Sequence, residues 1–274
     1  MVESPDKMSP RYAGWLNELD DFVRDITRFN VGRQDCDLRA DYEVIGTAVT
    51  NTTSQFHIQT ALWQLAGALR MQEAGAPPSA VPVLVRAALE AASAVAWFLT
   101  PEDVNTRVQR TVQLALQDSY DQFRFERQTG RDGYNTRRNE LLQAGQRAGF
   151  TRACFESSRY NVTSALEDLD ERFGESDLVS LWALLSGLAH GRPWAILAAS
   201  GTDASGEGRV QMYVPREAFG YYQLRAAEVL DHAIGLWNQR VGSVGTPKQA
   251  PRLPRTDEGR APGLPAPPWT WSPS

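Results

Sequence analysis

The sequence predicts an all-α protein, a multi-helix bundle, and three observations carry that prediction. Apolar residues recur at three- and four-residue intervals through most of the 274-residue chain. The polar breaks between those stripes hold Gly, Pro and Asp, which stop and restart helices. One stretch alone, 194–214, changes its period.

Taken in order, Trp15, Leu19, Phe22, Val23, Ile26 and Phe29 make one stripe and predict a helix over about residues 10–30. The segment 42–53, YEVIGTAVTNTT, has β-branched residues without clean alternation, so its state stays open. Phe56, Ile58, Leu62, Leu65 and Leu69 predict a second helix over 54–73, stopped by EAGAPPSA. A third helix over 81–99 is rich in alanine, whose small side chain permits close helix contact.

TPED then reads as a helix start. Thr100 is the expected cap, Pro101 suits the first turn, and Glu102 and Asp103 favour its positive end. That helix runs through VNTRVQRTVQLALQDSYDQFRFERQ, and the arginine-rich 131–148 reads as an exposed extension or connector. Helices over 162–173 and 175–190 follow. Leu178, Leu181, Trp182, Leu185 and Leu188 line the second, and Gly191 and Pro193 end it.

WAILAAS and RVQMYV, separated by GTDASGEG, read either as a short β-hairpin near 194–214 or as an irregular loop. Pro215 begins a last helix over 215–240. Half of the 16 prolines lie beyond residue 240, so 241–274 is expected to be a disordered tail, with Trp269 and Trp271 near its end. The resulting division is an N-terminal helical extension (1–53), a main helical domain (54–240) and the tail.

Composition narrows function by exclusion. A formal charge of -5 gives no global positive field to attract nucleic acid, although a local patch stays open. Cys36 and Cys154 are far apart and lack metal-ligand spacing, which suits reduced thiols. The N-terminal MVESPDKMSPRYAGW lacks a signal-peptide pattern. The most apolar run is interrupted by Arg86 and Glu90, so no membrane span and a cytoplasmic location are expected. There is no glycine-rich phosphate loop, no HExxH and no Cys/His cluster, and His57, His190 and His232 are remote in sequence. No cofactor and no metal are expected.

Two helix pairs remain as candidate chemistry. Arg86 and Glu90 stand four apart on the alanine-rich helix and can share a face, as an ion pair between helices or as an anion-binding pair. Ser186 and His190 are also four apart. His190 suits either proton transfer and phosphate contact or simple capping of a helix end. Arg124, Arg127, Arg131, Arg137 and Arg138 flank Phe123, Phe125 and Tyr134. They form either an RNA- or partner-binding surface or an ordinary solvated face.

LVRAALEAASAVAWFL joined to the later LWALLSGLAHG resembles a group of uncharacterised bacterial helical proteins, which in turn resemble the HEPN superfamily. Arg86, Glu90, Ser186, His190 and Gly191 carry the resemblance, over roughly residues 55–240. It implies a helical bundle and a role in bacterial defence or stress, and it leaves open a homodimer and an RNA or protein partner. Active HEPN nucleases place an arginine ahead of the histidine on the same helix, with four to six residues between them, whereas SLWALLSGLA holds none.

The leading expectation is therefore a HEPN-like binding or scaffold protein, with enzymatic activity an open question. The alternatives are a metal-independent endoribonuclease using Arg86 and His190, with Glu90 and Ser186 beside them, or a small-molecule enzyme with a pocket between their helices.

Overall fold

In the computed structural model the chain runs α1 (Pro5–Ile26), α2 (Asp37–Ile45), α3 (Val49–Glu73), α4 (Ala80–Leu99), α5 (Val104–Thr129), α6 (Tyr134–Arg147) and α7 (Arg152–Glu156). It continues through α8 (Val162–Phe173), α9 (Leu178–Ala189), α10 (Pro193–Ala199), β1 (Gly201–Ser205), β2 (Arg209–Tyr213) and α11 (Arg216–Val241). The structure describes residues 5–26, 36–46, 48–75, 79–129, 134–156, 160–174, 177–199, 201–205, 209–213, 216–242 and 253.

The alanine-rich α4 organises the bundle. Ala88, Ala92, Ala94 and Ala96 are buried, and their small side chains let α3, α5, α8, α9 and α11 all pack against this one helix. Ala80–Leu99 is long and apolar enough to cross a membrane by length and composition, and two-thirds of that window is buried by its helical neighbours. It is the central helix of the core.

The N-terminal segment is not a separate layer. Trp15, Leu19, Phe22 and Ile26 of α1 join the same core as α3, α4 and α11, and Phe22 meets Trp237 edge-on at 6.0 Å. The boundary expected at 53/54 falls inside α3, which begins at Val49. Residues 49–53 are helical as the first turn of α3, where Asn51 Oδ1 accepts the Trp237 indole N–H of α11 at 3.4 Å. Ser54 also returns its hydroxyl to the Thr50 carbonyl at 2.7 Å.

The α4–α5 turn corrects the expected cap. Thr100 closes α4, its N–H donating to the Ala96 carbonyl at 3.1 Å. Asp103 starts α5, its carboxylate accepting the Thr106 N–H at 2.8 Å and the Thr106 hydroxyl at 2.7 Å. Two buried arginines satisfy the carbonyls left free at this turn. Arg240 donates to Leu99, Thr100 and Pro101, and Arg107 donates to Pro101 and Glu102. Arg107 also pairs with Asp41 of α2 at 2.7 Å, with the two side chains 2% and 1% exposed.

The arginine-rich connector is partly a core element. Leu142 and Ala144 of α6 join Ile45, Val108, Val112 and Phe155 in a second, smaller cluster. WAILAA forms α10 and not a strand. The antiparallel pair observed is instead β1 with β2, in register Gly201 to Tyr213 and Ser205 to Arg209. Most of the expected tail lies outside the described residues. Within it, Val241 still belongs to α11, and Leu253 is buried with its N–H on the Asp231 carboxylate at 3.2 Å.

Candidate functional site

Arg86 and Glu90 share the face of α4 turned toward α9. The Arg86 guanidinium lies 2.8 Å from Glu90 Oε1, with about a quarter of one side chain and a third of the other exposed. The same Glu90 oxygen accepts the indole N–H of Trp182 at 2.8 Å, and Arg86 Cζ stands 5.8 Å from the Trp182 ring centroid. The carboxylate is thus bridged by an indole and a guanidinium that also face one another. Arg86 Nε is buried without a hydrogen-bond partner.

One turn further along α4, Ser93 extends the cluster. Its hydroxyl donates to the Glu90 carbonyl at 3.0 Å and meets the Tyr160 hydroxyl at 2.9 Å. Burial pushes the Tyr160 phenol above its ordinary range, so it stays protonated and able to donate. The Tyr160 ring leans on Trp97 at 5.3 Å. Arg110 also lies against Trp97, with Cζ 5.0 Å from the ring centroid, and donates to the Trp97 carbonyl at 2.6 Å. Burial lowers the Arg110 guanidinium below its usual value, the Arg172 charge adds to this, and the Asp168 charge opposes it.

Asp170 and Asp177 fix where α9 begins. The Asp170 carboxylate accepts the N–H groups of Leu178 and Val179 at 3.1 and 3.4 Å. Asp177 holds Arg225 of α11 at 2.7 Å.

His190 sits at the other end of α9. The Arg192 N–H reaches the Gly187 carbonyl at 2.8 Å and the Gly191 N–H reaches Leu188 at 3.1 Å, the paired bonds of a Schellman stop. Gly191 has φ +62°, which a side chain would oppose. His190 contributes its backbone to this stop, its N–H donating to the Ser186 carbonyl at 3.1 Å, and the residue is exposed. Pro193 then begins α10. The chain turns so tightly that a Cβ on Gly187 would fall 2.5 Å from Ala195 Cβ.

The structure thus joins Arg86 to Glu90 and sets both on Trp182. Ser186 lies one turn and His190 two turns beyond Trp182 along α9, the latter about 12 Å of helical rise. Of the five arginines expected on one surface, Arg124 is exposed on α5 and Arg138 is half-buried on α6. The side chains of Arg127 and Arg137, and all of Arg131, lie outside the described residues. Among the described residues no three His, Cys, Asp or Glu side chains gather as a metal site.

A different surface escaped the sequence reading. Phe56, expected on the apolar face of its helix, is 63% exposed, and Trp63 is 58% exposed. They stand seven residues apart, on one side of α3. The clue was available: no Asp, Glu, Lys or Arg occurs between Glu43 and Arg70. An outward helix face without charge is unusual for a solvated surface.

The fold and site together define a class: a multi-helix bundle built around an alanine-rich helix, with one short β-hairpin and an arginine–carboxylate–tryptophan seam. Comparison with protein-family models, curated proteins and solved structures gives no match.

Proposed function

We propose that this protein is a helical binding scaffold. In this reading the Arg86–Glu90–Trp182 cluster holds α4 against α9, and partners are met through apolar side chains left on the surface. The observation that carries it is the bridging of Glu90 by Trp182 and Arg86, which commits both charged groups to a seam between helices. Exposed Phe56 and Trp63 on α3, and Trp194 and Leu197 on α10, supply the apolar surface a partner would cover. The likeness of RAALE and SGLAHG to HEPN helices supplies the setting of bacterial defence or stress.

An endoribonuclease reading would ask Arg86 and His190 to grip one phosphate. It gains no support from an Arg86 engaged two turns away from a histidine at the helix stop.

The test incubates a varied RNA pool, without divalent metal, with wild type, Arg86→Ala and His190→Ala, each checked for folding. The expected outcome is no cleavage that depends on both residues. Arg86→Ala should lose about 1 kcal/mol of stability and shift the tryptophan emission, while His190→Ala changes neither. Cleavage by wild type that both folded variants lose would overturn the scaffold reading.

A further inference from the structure

We infer that α11 carries, beside Asp231, a docking site for a proline-flanked leucine, which the chain's own C-terminal segment fills through Leu253. The segment is a displaceable strap, and a partner segment of the same chemistry enters only when the strap leaves. The inference goes beyond the scaffold reading and does not depend on it.

Two observations converge on one residue. The Leu253 N–H donates to Asp231 Oδ1 at 3.2 Å, and the residue is 9% exposed. Leu253 belongs to the same apolar cluster as Leu230 and Ile234, which flank Asp231 in α11. A backbone donor and an apolar side chain are therefore held together at one place. Extended peptides are recognised by that combination, the main chain giving affinity and the side chain specificity. Next to Asp231, the His232 ring meets Phe173 of α8 edge-on at 5.4 Å.

The sequence of the strap suits docking. Pro254 follows Leu253 and restricts it to extended backbone, so less freedom is lost when it docks. Pro251 and Pro254 have no N–H, which leaves Arg252 and Leu253 as the backbone donors of PRLP. Lys248, Arg252 and Arg255 make residues 248–255 basic, with no Asp or Glu among them. The chain as a whole has formal charge -5, so its field draws this segment back toward the bundle.

The tether makes the strap separable. Leu253 lies 11 residues beyond Gly242, the residue that follows α11. Such a connection reaches at most about 36 Å. The return from Gly242 to Asp231 is about 16 Å of helical rise. Leu253 therefore leaves its site without pulling on α11. A short tether also presents the segment at roughly millimolar effective concentration, which holds off dilute competitors.

The bond after Arg252 contains the N–H that Asp231 holds, so tryptic cleavage there on the full chain reports release. Asp231→Ala and Leu253→Ala should each speed that cleavage about tenfold, relative to a synthetic peptide of the matching sequence, with helicity unchanged. A peptide spanning residues 248–256, at millimolar concentration, should shift the His232 ring resonances of Leu253→Ala. Wild type, its site filled in cis, should respond several-fold more weakly. Equal cleavage rates in the three proteins overturn the docking. A thermal midpoint that falls in Leu253→Ala as far as in Leu230→Ala makes Leu253 a fixed part of the core, and overturns the strap. A peptide that shifts neither protein overturns the entry of a partner segment. The scaffold reading is decided separately, in the RNA assay.

Discussion

Gly187 and Ala195 stand so close at the α9–α10 corner that the alanine methyl occupies the space a Cβ on the glycine would take, at 2.5 Å. This approach, together with the left-handed Gly191, turns LLSGLAHGRPW into a folded corner. Gly187→Ala should therefore destabilise the protein by about 1–3 kcal/mol, despite the better helix propensity of alanine. Urea unfolding measures this, and an unchanged midpoint would refute the packing argument.

Gly191→Ala tests the backbone at the same corner. A side chain at φ +62° should cost about 1–2 kcal/mol. His190→Ala, at an exposed position that contributes backbone to the stop, should stay within about 0.5 kcal/mol. A large loss in His190→Ala would show that the imidazole holds a contact the corner needs.

The buried Asp41–Arg107 pair makes the largest predicted effect. Asp41→Ala leaves a guanidinium that is 2% exposed without its carboxylate, at a cost of about 3–5 kcal/mol. The double variant Asp41→Ala, Arg107→Met should recover only part of that loss, because it removes the stranded charge together with the donor to the Pro101 and Glu102 carbonyls. Thermal unfolding of wild type, Asp41→Ala, Arg107→Met and the double variant decides it, and full additivity would falsify the pairing.

Two histidines predict the acid response. Burial is the main cause that lowers His57 and His232 below 6.5, and the Arg172 charge also lowers His232. The unfolded chain then binds protons at pH values where the folded one does not. Stability should fall as pH drops below about 6.5, with at most about 1.4 kcal/mol per pH unit from each group, and level off below the folded values. Above 6.5 their slope fades over roughly one pH unit, as the unfolded imidazoles lose their remaining protons. His232→Phe keeps the edge-on contact with Phe173 and removes the unpartnered Nε2, so it should flatten part of the decline. Equal slopes in wild type and variant between pH 5 and 6.5 would exclude His232 as a source.

Much of this architecture was legible because helical periodicity is a local property. The stripe from Trp15 to Ile26, the alanines of α4 and the Gly191–Pro193 stop each announce themselves within a few residues. The pairing of Arg86 with Glu90 was equally readable, since four-residue spacing on one helix fixes their proximity. Trp182 as their shared partner was not, because it lies 92 residues along the chain from Glu90.

Sequence by itself determined the class, the order of most helices and which residues could pair within a turn, all consequences of short-range backbone geometry. Tertiary structure alone decided which faces those helices turned inward. Arg107 and Arg240 look like surface cations in the sequence, yet they are buried because the free carbonyls of the α4–α5 turn and the carboxylates of Asp41, Asp37 and Glu102 meet around them. Phe56 falls on the predicted apolar stripe, yet it faces outward with Trp63 because α1, α4 and α11 cover the other sides of α3. Burial is a property of the assembled neighbours, and no periodicity within one helix contains it.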